Sequence, residues 1–346
     1  EAELLAVMRH VRFAAMAAGF LRETVFTWPA LDSKDGQSML LNAVTPTVDG
    51  TKPVPRSGFG PRLIYVVGGT DETNTRQHMV ELYDPQAASW KQLASMMDTR
   101  SEHSCVALKG KLYAVGGLND AGQPLGTAEV YDPQTDGWQS LVKMRARRSA
   151  LGLAAVGGKI YAIGGQDRSF MPLKSIEAYD PQLGAWAPVA SMNEERHSHA
   201  SVVLDSKIYA MGGLADGAVM LDTVEAYDPQ ADSWQRVASM PQVRFWHAAA
   251  AMGGKIYVSG GYSQGISVNS VYVYGPQAGA WTQLASMSTG RRHHASAVVG
   301  GKLYVFGGFG VEENLSTAEV YDPTSDSWAQ ATSLTSARNG LVAAAL

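Results

Sequence analysis

The sequence predicts an all-β chain folded as a six-bladed β-propeller, and three observations carry that prediction. A Gly-Gly doublet recurs at 68–69, 116–117, 164–165, 212–213, 260–261 and 307–308, in steps of 48, 48, 48, 48 and 47 residues. A tryptophan keeps the same step at Trp90, Trp138, Trp186, Trp234, Trp281 and Trp328. Between these marks lie short β-rich runs bounded by Gly, Asp and Pro, which read as strands of antiparallel sheets. A fixed period of roughly 50 residues built from short strands marks a propeller or repeat array.

Each repeat has room for four strands, labelled A to D from the axis outward. The second repeat shows the order: Arg100, an apolar run at 104–108, Gly110, a B strand ending at Gly116-Gly117, a variable stretch, Glu129-Val-Tyr131-Asp132-Pro133, then Trp138. A run such as Ile160-Tyr161-Ala162-Ile163 is too short for a helix and is stopped by Gly164-Gly165. The inner strands are made of small residues, such as Ala154-Ala155, 248–251 and Ala295-Ser296-Ala297. Six strands converging on one axis leave no room for larger ones. Tyr and Trp fall further out, where they fill the wedge between blades.

The ends set the blade count. No inner strand in phase precedes the first doublet: Arg56-Ser57-Gly58 lies 13 residues from Gly69, where the other repeats have 17. Arg338-Asn339-Gly340 and the apolar run to Leu346 supply the missing pattern at the opposite end. The last strand is therefore expected to complete the first blade, closing the ring and removing its edges.

The first 45 residues differ from the array. Leu4, Leu5, Met8 and Val11 have helical spacing, Phe20-Leu21 and Val25-Phe26 suggest a second short helix, and 38–44 a third. Glu1, Glu3 and Glu23 argue against a transit peptide, and the absence of an initial Met reads as the interior of a longer chain or a processed product. The expected division is helices at 1–45, a Pro- and Gly-rich linker at 46–61 and the propeller at 62–346. A net charge of −4 gives no nucleic-acid footprint, and no stretch reaches the ~18 apolar residues of a membrane span. The single cysteine, Cys105, cannot form an internal disulfide, which favours a reducing, cytoplasmic setting.

The doublets, the Tyr-Asp-Pro motif at Tyr83, Tyr131, Tyr179, Tyr227 and Tyr321, and the spaced tryptophans resemble the kelch-repeat family over nearly all of 62–346. Leu4-Leu5, Val11-Arg12-Phe13, Phe20-Leu21 and Val25 are similar to the C-terminal helices of a BACK domain. Together they resemble the Kelch-like proteins, which place BTB, BACK and kelch domains in that order and act as substrate adaptors of cullin-RING ubiquitin ligases. The resemblance implies a propeller that holds a protein substrate. The BTB domain and the start of BACK, which dock the cullin, are not in this sequence, so a cullin partner is implied only if a BTB domain lies upstream. A stand-alone kelch scaffold, for example cytoskeletal, is the alternative.

Comparing the repeats with one another points to the binding face. The spacings from Tyr to Trp, Trp to Arg and Arg to the second Gly hold at 7, 10 and 17 residues, and only the stretch after Gly-Gly changes length. The A–B turns (Gly157-Gly158-Lys159, Gly253-Gly254-Lys255) and the C–D turns are near copies. Variation thus concentrates on the face carrying the B–C and D–A connections, where a rigid scaffold usually displays binding loops. There the repeats bring Tyr262, Phe245, Trp246, Arg292, His293 and Phe309 to the sector of blades five and six, and Glu102, Gln166 and His197 to the remaining blades. Aromatic and arginine side chains dominate interface energetics, and Arg292 is expected to pair an acidic group of a peptide. The alternative is that Tyr262, Trp246 and Phe309 pack beneath the loops.

Recurrence argues for architecture elsewhere. The repeat arginines (Arg100, Arg148, Arg196, Arg244, Arg291, Arg338) resemble a basic ring, but are expected to tie strands together through Glu81, Glu129, Glu177, Glu225 and Glu319. The fifth repeat has Tyr272 and Gly275 in place of Glu and Asp, so blade five is either looser or repurposed. His103, His199, His247 and His294 share one repeat position and are expected to pack rather than ligate a metal. Some kelch propellers are enzymes, including galactose-oxidase-type copper oxidases, plant specifier proteins and sialic acid mutarotases. No activated nucleophile, closed metal set or Tyr–Cys pair matches them here, so no catalysis and no cofactor are expected.

Overall fold

Inner strands run at Ser104–Leu108, Gly152–Val156, Ala200–Leu204, Ala248–Met252, Ala295–Val299 and Val342–Ala345. Each begins a four-stranded antiparallel sheet, and the six sheets stand around one axis. The computed structural model describes residues 63–346. The helices expected at 1–45 and the linker at 46–61 lie outside those residues. The second blade is typical: Ser104–Leu108 pairs with Lys111–Val115, then Ala128–Asp132, then Gly137–Ser140 at the rim.

The ring closes as the repeat phase requires. Val342–Ala345 pairs antiparallel with Ile64–Val67, in register Ile64↔Ala345 to Val67↔Val342. Leu63 and Leu346 extend the pairing, each donating its N–H to the other's carbonyl at 3.0 and 3.1 Å. Thr70–Asp71 and Arg338–Asn339 add a second tie across the seam.

The Gly-Gly doublets exist because two loops meet on them. Gly116 and Gly117 have φ of +65° and +93°, and a Cβ on either would stand 2.5–2.6 Å from the Arg148 or Ser101 carbonyl oxygen. Only glycine adopts this conformation and tolerates this approach without strain.

Tyrosine and tryptophan fill the wedge between blades. The Tyr131 and Trp138 rings pack tilted to each other with centroids 5.3 Å apart, and the Trp138 indole N–H donates to the Ala94 carbonyl of the preceding blade at 2.9 Å. Every repeat tryptophan does the same, including Trp90, which reaches the Thr332 carbonyl across the seam.

The repeat arginines act as rivets. The main chain of Arg100 bonds blade one, donating to the Gln77 carbonyl and accepting from Gly69 N–H. Its side chain enters blade two, donating to the Gly116 carbonyl at 2.8 Å and to Glu129 at 2.7 Å. Arg148–Glu177, Arg196–Glu225, Arg291–Glu319 and Arg338–Glu81 repeat the pair. Blade five departs as its sequence does: Arg244 lies over the Tyr272 ring, 5.0 Å from its centroid. On the A–B face Lys111, Lys159, Lys207 and Lys302 pair with the aspartates of the Tyr-Asp-Pro motif. These exposed pairs contribute little, and their repetition explains the uniformity of that face.

Candidate binding site on the loop face

On the B–C/D–A face the residue after each repeat arginine pairs with the residue after the same blade's doublet: Ser101 with Leu118, Ser149 with Gln166, His197 with Leu214, Phe245 with Tyr262 and Arg292 with Phe309. Antiparallel bridges thus fix both variable loops of a blade to each other. Asp71 and Asp167 stiffen two loop tips by accepting N–H groups two and four residues on.

The next residue in each blade forms a collar around the axis. Glu102, Ala150, Ser198, Trp246, His293 and Gly340 all have positive φ, between 50° and 62°. Each donates its N–H to its neighbour's carbonyl, from Ala150→Glu102 around to Glu102→Gly340, at 2.8–3.1 Å. Six backbone hydrogen bonds close into a circle, holding five non-glycine residues in a left-handed conformation that is otherwise disfavoured.

Outside the collar, the residues expected in blades five and six do converge. The Arg292 guanidinium carbon lies 4.5 Å from the Phe309 ring centroid, 4.9 Å from that of Tyr262 and 5.9 Å from that of Trp246. Arg292 Nη1 donates to Ser267 Oγ at 2.8 Å, and Ser267 in turn donates to the Gly310 carbonyl at 2.7 Å. Among the described residues no carboxylate stands within ion-pair distance of Arg292. Desolvation by the rings lowers its pKa, which leaves an arginine charged all the same.

Trp246, Tyr262, Arg292, His293 and Phe309 are half-buried with part of each surface open. Phe245 is only 8% exposed and packs against Trp246 and Tyr262, so it supports the cluster from below. Packing and display are thus both present. Gln166 and His197 make a second group: Gln166 Nε2 lies 3.3 Å from His197 Nε2, and His197 Nδ1 lies 3.0 Å from Ser198 Oγ. Burial lowers the His197 pKa to about 4. Glu102 stands apart, on the collar at blade two, where burial raises its carboxyl pKa and Arg76 partly opposes that shift.

The loop tips add residues not expected from the sequence. Phe170, Met171, Val219, Met220, Ile266 and Val311 are exposed, Val311 at 88%. All lie in the B–C connections of blades three to six, whereas blades one and two present Glu72, Thr73, Asn74 and Asp120 there. An apolar crest, interrupted by the exposed charges Arg168, Asp216, Glu312 and Glu313, thus runs over the B–C loops of blades three to six. The signal was available, since apolar residues at the centre of a variable stretch have no inward face to occupy.

Below the collar, His103, His199, His247 and His294 are buried. The His103 ring packs against Gly68 of the preceding blade, and its Cβ against Gly117 of its own. Among the described residues no group of three or more His, Cys, Asp or Glu could hold a metal ion, and no helix is long and apolar enough to cross a membrane. Desolvation lowers the pKa of all four histidines, that of His103 and His247 to about 3. The unfolded chain binds these protons near the ordinary value of ~6.5 and the folded chain does not. Stability is therefore unaffected above ~6.5 and falls as pH drops below it, by about 1.4 kcal/mol per histidine per pH unit. Urea unfolding between pH 7 and pH 5 should show this slope. His197 and His293 are lowered by burial as well, so His103→Leu, which copies Leu151 of blade three, should flatten the histidine slope by about one sixth. A pH-independent midpoint over this range would rule out the buried, neutral imidazoles.

A ring of six sheets with near-uniform turns on one face and a variable, aromatic-rich loop set on the other defines a β-propeller of the kind that typically serves as a protein-interaction module. The chain belongs to the Kelch-repeat family: the KLHDC2/KLHL20/DRC7 Kelch-repeats domain matches residues 37–213 and, overlapping them, 152–345. Among solved structures, YjhT is similar with a TM-score of 0.67 and 16% identity, over 77% of this chain and 96% of that one, a likeness of fold alone. No curated protein matches the chain.

Proposed function

We propose that the protein is a non-catalytic interaction module that holds a protein partner on its B–C/D–A face, and that it serves as the substrate-recognition arm of a cullin-RING ubiquitin ligase adaptor. The observation that carries the first part is Arg292. Its guanidinium is stacked among three aromatic rings and held by a single described hydrogen bond from Nη1, with its other donors unmatched by any acceptor among the described residues. A pre-oriented guanidinium edge suits bidentate pairing with a carboxylate, and the adjacent crest suits apolar residues beside that acid. The second part rests on the BACK-like pattern of residues 4–44, with the stand-alone scaffold as its competitor.

A peptide array varying acidic and apolar positions tests the site. Selected peptides should contain Asp or Glu, and Arg292→Ala should weaken them by 2 kcal/mol or more, about 30-fold, at a near-constant melting temperature. Selection of peptides without an acid, or unchanged binding by Arg292→Ala, would overturn the reading. Coprecipitation of a cullin with the full-length natural protein would support the adaptor role, and its absence the scaffold.

A further inference from the structure

One position in each B–C loop, opposite the residue that follows the doublet, divides the face into two arcs. In blades two, three and four it holds Pro124, Pro172 and Met220, whose side chains have no hydrogen-bond donor. In blades five, six and one it holds Ser267, Asn314 and Arg76, and each of these side chains ties three loops together. Arg76 donates to Ser101 Oγ in the following D–A loop and to the Asp120 carbonyl in the next blade's B–C loop. Asn314 accepts from Asn339 Nδ2 at 2.6 Å and donates to the Thr70 carbonyl at 3.3 Å. Ser267 accepts from Arg292 Nη1 at 2.8 Å and donates to the Gly310 carbonyl at 2.7 Å. The clamp between blades five and six holds a guanidinium by a single nitrogen. Nε and Nη2 of Arg292 have no acceptor among the described residues and, unlike the buried Nε of Arg291, keep open surface.

We propose that Ser267 is the positioning residue of the loop-face site: by holding Nη1 it turns the Nε–Nη2 edge of Arg292 to the partner, whose aspartate or glutamate carboxylate takes both N–H groups in one plane. The identity of the ligand rests on the loop-face reading above, and the edge it meets rests on Ser267. Attraction of a cation to ring faces is centred on the charge, so Tyr262, Trp246 and Phe309 hold the guanidinium without selecting which edge points outward. A hydrogen bond is directional and makes that selection. The Ser267 hydroxyl has one proton, given to the Gly310 carbonyl, so a lone pair is left for Nη1. Its strand is fixed in turn. Tyr262–Ser263 pairs with Ile266–Ser267, and the Ser267 carbonyl stands 2.4 Å from where a Cβ on Gly290 would be, just ahead of Arg292 in the chain. Fixing the edge before the ligand arrives removes an ordering cost from binding.

Calorimetric titration of the intact chain with an acidic peptide selected on the array tests this in a double-mutant cycle. Ser267→Ala should weaken binding about fivefold, and Ser267→Thr, which keeps the hydroxyl, should retain most of the affinity, all three proteins melting alike. In the Arg292→Ala background Ser267→Ala should cost nothing further, because no guanidinium is left to position. An equal loss in that background, or no loss in the single variant, would overturn the proposal. A second measurement needs no ligand. Heteronuclear NMR of the free protein should show inequivalent Nη protons on Arg292, and Ser267→Ala should merge them as the group begins to rotate. Inequivalence that survives Ser267→Ala would refute the positioning role whatever the peptide does. Failure of the array to select any acid would instead remove the carboxylate ligand, and the NMR comparison would still decide whether Ser267 sets the edge.

Discussion

Removal of residues 341–346 is expected to abolish cooperative folding of the propeller. The deletion takes away the inner strand of blade one, four register pairs with Ile64–Val67, and the Leu63–Leu346 hydrogen bonds. It also uncovers Ile64 and Val66, both fully buried, and removes Leu341, which is 3% exposed. Truncating one such leucine to alanine alone costs about 2–5 kcal/mol, against a total stability of about 5–15 kcal/mol for a domain. The freed edge of Ile64–Val67 would then template association with other chains. Circular dichroism melting and gel filtration should show loss of the transition and soluble aggregates. A permuted chain that begins at Arg338, joins Leu346 to Leu63 through two glycines and ends at Ala337 should melt normally, because the four-stranded blade is restored. A native-like transition in the truncated chain would mean that the seam does not hold the ring.

The seam was legible in the sequence because the repeat is a ruler. Arg56 fails the phase test and Arg338 passes it, so the position of the closing strand follows from spacing alone. The arginine–glutamate pairs were legible for the same reason: residues that recur in register meet in register. The collar was not. Five of its six left-handed positions hold Glu, Ala, Ser, Trp and His, and glycine marks only Gly340, because closure of the ring imposes the conformation that local propensity disfavours.

The candidate site was legible in position but not in depth. Phe245 and Trp246 are sequence neighbours in a variable loop, and nothing in their spacing separates them. Phe245, bridged to Tyr262, is buried, while Trp246, on the left-handed collar, packs against His293 and stays partly open. The apolar loop tips lie mid-loop, away from the residues adjoining Gly-Gly and Arg, where length varies and no repeat register marks them.

Glu225→Ala is expected to destabilise the propeller by about 3–5 kcal/mol, the usual cost of leaving one partner of a buried ion pair unpaired. Arg196 and Glu225 are both fully buried, with Arg196 Nη2 3.0 Å from Glu225 Oε1. Arg196 also donates to the Gly212 and Thr223 carbonyls, and Glu225 Oε2 accepts from the Asn193 main chain at 2.9 Å and side chain at 2.6 Å. Loss of the carboxylate thus leaves the buried guanidinium with only the part-exposed Glu194, 3.3 Å from Nη2, and releases the D–A loop before blade four. Because the Arg196 carbonyl accepts the Gly165 N–H and its own N–H reaches the Leu173 carbonyl, the loosened loop also uncouples blade three. The charge itself is dispensable. In blade five Arg244 has an aromatic ring where the others have a carboxylate, and its contact to the Gly260 carbonyl is kept at 2.8 Å. Replacing both members, Arg196→Met with Glu225→Leu, should therefore recover part of the loss, since it removes the uncompensated charge but leaves the Asn193 and Glu194 N–H groups without their acceptor. Urea unfolding of the two single variants and the double variant gives the coupling energy directly. Equal and additive losses would mean that the pair contributes through packing rather than through charge.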